Sequence, residues 1–211
     1  MARNTAMLIA VSMFGLAGWS LPAAAQTTDV FSLNYFDNVP QEEAVAFDST
    51  VRVTNPGTNG APTLANPTGG DLCAMIYVFH PDQQLAECCG CLVSPNGLLT
   101  LSVRSDLTSN PLTSDSLDRG VIKIVSSTGT SSTDSKGMTR IKCDATTVTP
   151  TPTLLAWGTH VQSSGALTET AFERAPLSSD EMTTVTEKCG DIHDNGSGHG
   201  ICACGTERLG Q

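Results

Sequence analysis

Short β-favouring runs separated by turn residues dominate the chain. DVFSLNYF (29–36) and STVRVTN (49–55) hold brief period-two alternations, with Val51 and Val53 on one face, as half-buried strands do. The glycine- and proline-rich PGTNGAPTLANPTGG that follows reads as a connection between strands. LCAMIYVF (72–79) is apolar on both faces, too short for a typical helix, and bounded by Gly70 and Pro81. It predicts a central strand buried on both sides.

ECCGCLV and LLTLSVR flank Ser94-Pro95-Asn96-Gly97, and Asn-Gly in a tight turn predicts that the two runs pair as a hairpin. GVIKIVSS and TRIKC read as a second strand pair, with STGTSSTDSKG as an exposed, mobile loop between them. TTVTPTPT is an extended connector, and LLAWGTHVQ adds a strand with Trp157 as a core candidate. After that the spacing becomes helical in places. Ser178 with Glu181 fits a capping box, and Gly190 fits a C-terminal stop. The predicted fold is mainly β: an antiparallel β-sandwich with one or two short C-terminal helices, stabilised by disulfides.

The first residues read as an export signal. Arg3 precedes the apolar AMLIAVSMFGLAGWSL, and Ala23 and Ala25 supply small residues ahead of Gln26. That apolar run is about 16 residues, short of the roughly 20 a membrane span needs. The expected organisation is a signal peptide over 1–25, an N-terminal strand or donor-strand extension over 26–38, and a single β-sandwich domain with a Cys-rich C-terminal tail over 39–211. The product is expected to be secreted or at a bacterial cell surface, with no transmembrane segment in the mature chain.

Charge narrows the partners. The whole chain carries −10. Without Arg3, 10 basic residues face 21 acidic ones, a net charge of −11, which repels nucleic acid and anionic lipid. Nucleic acid is therefore excluded as an expected partner.

All eight cysteines lie after residue 72: Cys73, Cys88, Cys89, Cys91, Cys143, Cys189, Cys202 and Cys204. An even number in an exported chain points to disulfides. Eight cysteines permit 105 pairings, and sequence does not choose among them. Cys88 with Cys91 and Cys202 with Cys204 also have the spacing of two metal-binding pairs or of a redox motif. A bridge between adjacent Cys88 and Cys89 would be strained. The expectation is that CCGC is sewn to the CxC tail, with Cys73, Cys143 and Cys189 joining the network.

LCAMIYVF (72–79), the DQQ…ECCGC element (82–91), LLAW (154–157) and GSGHGICACG (196–205) together resemble a family of exported, cysteine-rich proteins frequent in Acidobacteria. The resemblance spans about two-thirds of the chain. It implies an exported domain and no particular activity.

CGDIHDNGSGHGICACG raises a metal reading. Asp191, His193, Asp194 and His199 fall within nine residues of an expected glycine-rich loop. Imidazoles and carboxylates suit copper or zinc; the competing reading is a polar loop packed beside disulfides. No nucleophile elbow, HExxH, phosphate loop or haem-attachment CxxCH is present. His80 and His160 stand alone, as structural histidines do. TTDVFSLNYFDN precedes every cysteine and reads either as the first strand of its own sandwich or as a segment inserted into a neighbouring subunit. The leading expectation is a secreted, disulfide-stabilised structural or interaction protein of the cell surface, with self-association through the N-terminal strand into extracellular filaments as its more specific form. The alternatives are an extracytoplasmic copper- or zinc-binding protein and, behind it, a secreted hydrolase.

Overall fold

The computed structural model describes residues 31–39, 48–113, 115, 117–162, 166–196 and 198–205. The signal-like segment 1–25 and residues 26–30 lie outside the described residues. The protein is mainly β. Its strands are β1 (Phe31–Asp37), β2 (Thr50–Thr54), β3 (Leu72–Phe79), β4 (Leu85–Val93), β5 (Leu98–Ser102), β6 (Arg119–Thr128), β7 (Thr130–Thr133), β8 (Thr139–Lys142), β9 (Thr149–Pro150), β10 (Leu155–Val161), β11 (Leu167–Ala171) and β12 (Glu173–Ala175). A five-residue π-helical turn, Val103–Leu107, follows β5, and among the described residues one α-helix, α1 (Ser179–Asn195), follows the strands.

Two antiparallel sheets face each other. One has the order β12-β1-β6-β3-β4, with β9 beside one end of β6; the other has the order β11-β10-β2-β5. α1 covers the outer face of the first sheet, so β3 lies in the middle of three layers. Alternation along β3 then sends its side chains two ways. Leu72, Ala74, Ile76 and Val78 pack between the sheets, while Cys73, Met75, Tyr77 and Phe79 pack beneath the helix. Every residue of β3 is buried, which is why the sequence shows an unbroken apolar run there.

β1 belongs to its own sheet. It pairs with β6 over seven residues and with β12 over three. Phe36 is sunk into the inter-sheet core at 2% exposure. Its ring lies over Gly120, where an added Cβ would stand 3.0 Å from the ring and 2.2 Å from the carbonyl oxygen of Phe79.

Four local expectations need correction. The Ser94–Gly97 turn does not make a hairpin: β4 and β5 lie in different sheets, and the turn carries the chain from one to the other. Pro95 precedes Asn96 at φ +61°, and Gly97 donates to the Ser94 carbonyl at 2.8 Å. These are the features of a type II turn, whose twist does not suit paired strands. TRIK pairs with Thr130–Thr133, inside the expected loop, and not with β6. Trp157 is only half-buried, because Ala156, Gly158 and His160 take the inward positions of β10. A Cβ on Gly158 would lie 2.9 Å from Asn34, so the inward face has no room for a large ring there.

The helix is a single one of 17 residues, and Gly190 does not stop it. Val185, Cys189 and Ile192 form one buried stripe that draws the helix past the glycine. It ends at Gly196, whose N–H donates to Ile192 at 2.7 Å. At the start, Ser178 accepts from the Glu181 N–H at 3.1 Å, as expected. The Glu181 carboxylate pairs instead with Lys123 of β6, whose ammonium lies 4.6 Å from the Phe79 ring centroid.

Candidate functional site

The eight cysteines pair completely: Cys73–Cys143, Cys88–Cys189, Cys89–Cys202 and Cys91–Cys204. The expected link between CCGC and the CxC tail is present. CCGC itself is strand, and strand alternation explains its spacing. Cys88 points to the helix face and meets Cys189, whereas Cys89 and Cys91 point to the inter-sheet face and meet the tail. Gly90 lies between them, and a Cβ there would stand 2.7 Å from the Cys143 carbonyl. The glycine thus lets the Cys143 backbone lie directly against β4.

β4 is the edge of its sheet, and the tail closes that edge. Cys88 donates its N–H to Gly200 at 2.9 Å, and Cys202 donates to Cys88 at 3.3 Å. Ile201 forms a parallel bridge with Cys88. An open strand edge invites pairing with other chains; here the chain's own tail occupies it, bonded covalently to β4 just beyond the contact through Cys202 and Cys204. These bridges do not contribute equally. Cys88–Cys189 spans 101 residues, a loop length for which closure entropy gives about 4.7 kcal/mol. Once it is closed, Cys89–Cys202 adds a loop of only about 13 residues, and Cys91–Cys204 adds still less.

No family model, no curated protein and no solved structure matches the chain. Its chemistry therefore rests on its own residues.

The unexpected group is Glu87, fully buried on β4. Its Oε1 accepts from the Asn110 N–H at 2.9 Å, and its Oε2 has no partner. Burial pushes this carboxyl up to about 7, only partly offset by the bond from Asn110. Asn110 in turn grips the tail: its side-chain amide donates to Gly198 at 2.8 Å and Ile201 at 3.3 Å, and its carbonyl accepts from Gly200 at 2.7 Å. A glutamate inside LAECCGC, on the face that alternation assigns to the core, was the sequence signal for this group. Nothing in the sequence pointed to Asn110.

The metal candidates are dispersed. Asp191, His193 and Asp194 lie on the last turn of α1, not on a loop, and are exposed; His199 is exposed beyond Gly196. Among the described residues, no three of these four bring ligand atoms within 4.8 Å of one another. His193 instead approaches the sulfurs of Cys88 and Cys189 within that distance, and those sulfurs are bonded to each other. Asp191 lines a cavity of about 370 Å³ with Leu85, Leu112, Lys188 and Ile192. Of the lone histidines, His80 pairs with Asp82 at 3.0 Å. His160 is buried, bonds Thr170 at 2.9 Å and stacks on Tyr35; burial lowers its pKa. Among the described residues no helix is long and apolar enough to cross a membrane.

Proposed function

We propose that this chain is an exported structural or interaction protein of the cell surface that assembles with copies of itself by exchanging its first strand. One observation carries the reading. β1 is a core strand paired on both sides, yet it precedes every cysteine and lies outside the covalent framework. Three of the four bridges converge on β4 at the opposite side of the same sheet. The body is thus rigid where it is cross-linked, and β1 can leave without breaking a covalent bond. Its slot keeps specific features, chiefly the Gly120 notch that receives Phe36.

A strand that fills the same slot in a neighbour recovers the same hydrogen bonds and the same burial. Reciprocal exchange closes into a dimer, whereas head-to-tail exchange stays open and makes filaments. The signal-like 1–25, the complete pairing of an even number of cysteines and the resemblance to exported cysteine-rich proteins support an extracytoplasmic setting.

The test is electron microscopy and sedimentation of residues 26–211 with all bridges intact, with and without an excess of a synthetic peptide covering 26–38. Oligomers or filaments that shorten with the peptide are expected. A protein that stays monomeric at every concentration, or polymers that ignore the peptide, would sink strand exchange.

A further inference from the structure

The two tail bridges lie side by side. Cys89 Sγ and Cys91 Sγ are 4.0 Å apart although they belong to different disulfides, and Cys204 Sγ lies within 4.8 Å of both. Cys89, Cys91 and Cys202 are buried, while Cys204 is half-exposed. Cys204 also forms part of the wall of a surface groove of about 460 Å³, together with Leu92, Leu98 and Leu99. Of the four cysteines, the one partly exposed residue therefore belongs to the outer bridge, and the inner bridge lies against its buried partner.

We propose that Cys91–Cys204 and Cys89–Cys202 form a thiol–disulfide exchange site whose substrate is an external dithiol, and that one exchange releases the C-terminal tail from β4. In the first step a thiolate of the dithiol attacks Cys204 Sγ. The Cys91–Cys204 bond breaks, and its electron pair leaves on Cys91. The Cys91 thiolate then attacks Cys89 Sγ, forming Cys89–Cys91 and breaking Cys89–Cys202; Cys202 leaves as a thiolate and takes a proton from water. The second thiol of the dithiol attacks its own sulfur on Cys204, closing the dithiol to a disulfide and freeing Cys204. In balance, the dithiol loses two electrons and two protons. The protein exchanges two tail bridges for one Cys89–Cys91 bridge and two tail thiols.

The geometry suits the middle step. Two residues along a strand advance about 6.6 Å, inside the Cα separation of up to about 6.8 Å that a disulfide spans. Gly90 stands between the two cysteines and gives that stretch the freest backbone available. The consequence is a strand edge under redox control. With both bridges open, the tail is held on β4 only by hydrogen bonds, and the edge becomes available to another strand. This inference is independent of β1 exchange.

The experiment treats the folded protein, without denaturant, with one molar equivalent of dithiothreitol, then acid quench, alkylation and peptic mapping of every cysteine. The first two thiols are expected at Cys202 and Cys204, with Cys89–Cys91 newly formed and the other two bridges intact. With glutathione in place of dithiothreitol, the adduct is expected on Cys204 and not on Cys91. The paired change Cys91→Ser with Cys204→Ser removes the attacking sulfur, so labelling of Cys202 should slow at least about tenfold. Thiols at Cys91 and Cys204 with Cys89–Cys202 intact would overturn the relay. So would loss of all four bridges together, or rapid labelling of Cys202 in the paired variant. If that variant does not fold, the wild-type map decides by itself.

Discussion

Replacing Glu87 with Gln should make the protein more stable in alkaline solution, against the usual expectation for removing a charged residue. Glu87 has no solvent exposure, and one of its oxygens has no partner, so ionising it in the folded state costs more than in the unfolded chain. Its pKa rises from an ordinary 4.5 to about 7. Below pH 4.5 both states hold the proton and the group adds no pH dependence. Between 4.5 and 7 the unfolded chain ionises first and is favoured; above about 7 the loss is complete. A difference of that size corresponds to no more than about 3 kcal/mol.

Gln has the same shape, keeps an oxygen for the Asn110 N–H, and never ionises. Urea unfolding with the bridges intact, from pH 4.5 to 8.5, should therefore show wild type and Glu87→Gln diverging as pH rises. At pH 8 the variant should be ahead by about 2–3 kcal/mol, or about 5–10 °C in Tm for a chain of this length. Other titrating groups cancel in the difference. Asp144, held down to about 2 by Thr146 and Lys142, acts below this window. Parallel stability curves, or a variant weaker at pH 8, would refute the reasoning. A carbon-13 titration of the Glu87 carboxyl checks its midpoint directly.

Two smaller changes test the framework around it. Gly90→Ala places a methyl group 2.7 Å from the Cys143 backbone and should cost about 1–3 kcal/mol; thermal unfolding measures the cost, and free thiol at Cys73 and Cys143 would report the missed bridge. Ser178→Ala removes the cap on α1 and should cost about 1 kcal/mol, read as a Tm fall of about 2–4 °C.

The double burial of β3 was legible because three layers leave that strand no polar face. The capping of α1 was legible because Ser178 and Glu181 act within four residues. What could not be read was partner choice between distant segments. Asn-Gly announces a turn, but only the neighbouring strands decide whether the turn folds a sheet on itself or hands the chain to another. Trp157 was misread because size favours burial, whereas the close approach of Asn34 to Gly158 reserves that face for small residues. Gly190 was misread because glycine weakens a helix without ending it when Cys189 and Ile192 are buried on either side. The four metal candidates lie apart because Asp191, His193 and Asp194 fall on the exposed end of a helix, while His199 lies beyond it.

The position of the bridges also sets a timetable for biosynthesis. A chain exported amino end first, as proposed above, presents Cys88 and its neighbours long before their partners arrive, 101 to 113 residues later. Only Cys73–Cys143, with a separation of 70, closes early. Throughout that interval β4 carries three unpaired thiols, and any rapid oxidant will join them wrongly. Yield in a heterologous host should then depend less on the strength of oxidation than on how well wrong bridges are undone, and truncation just before Cys189 leaves the strand permanently unmated.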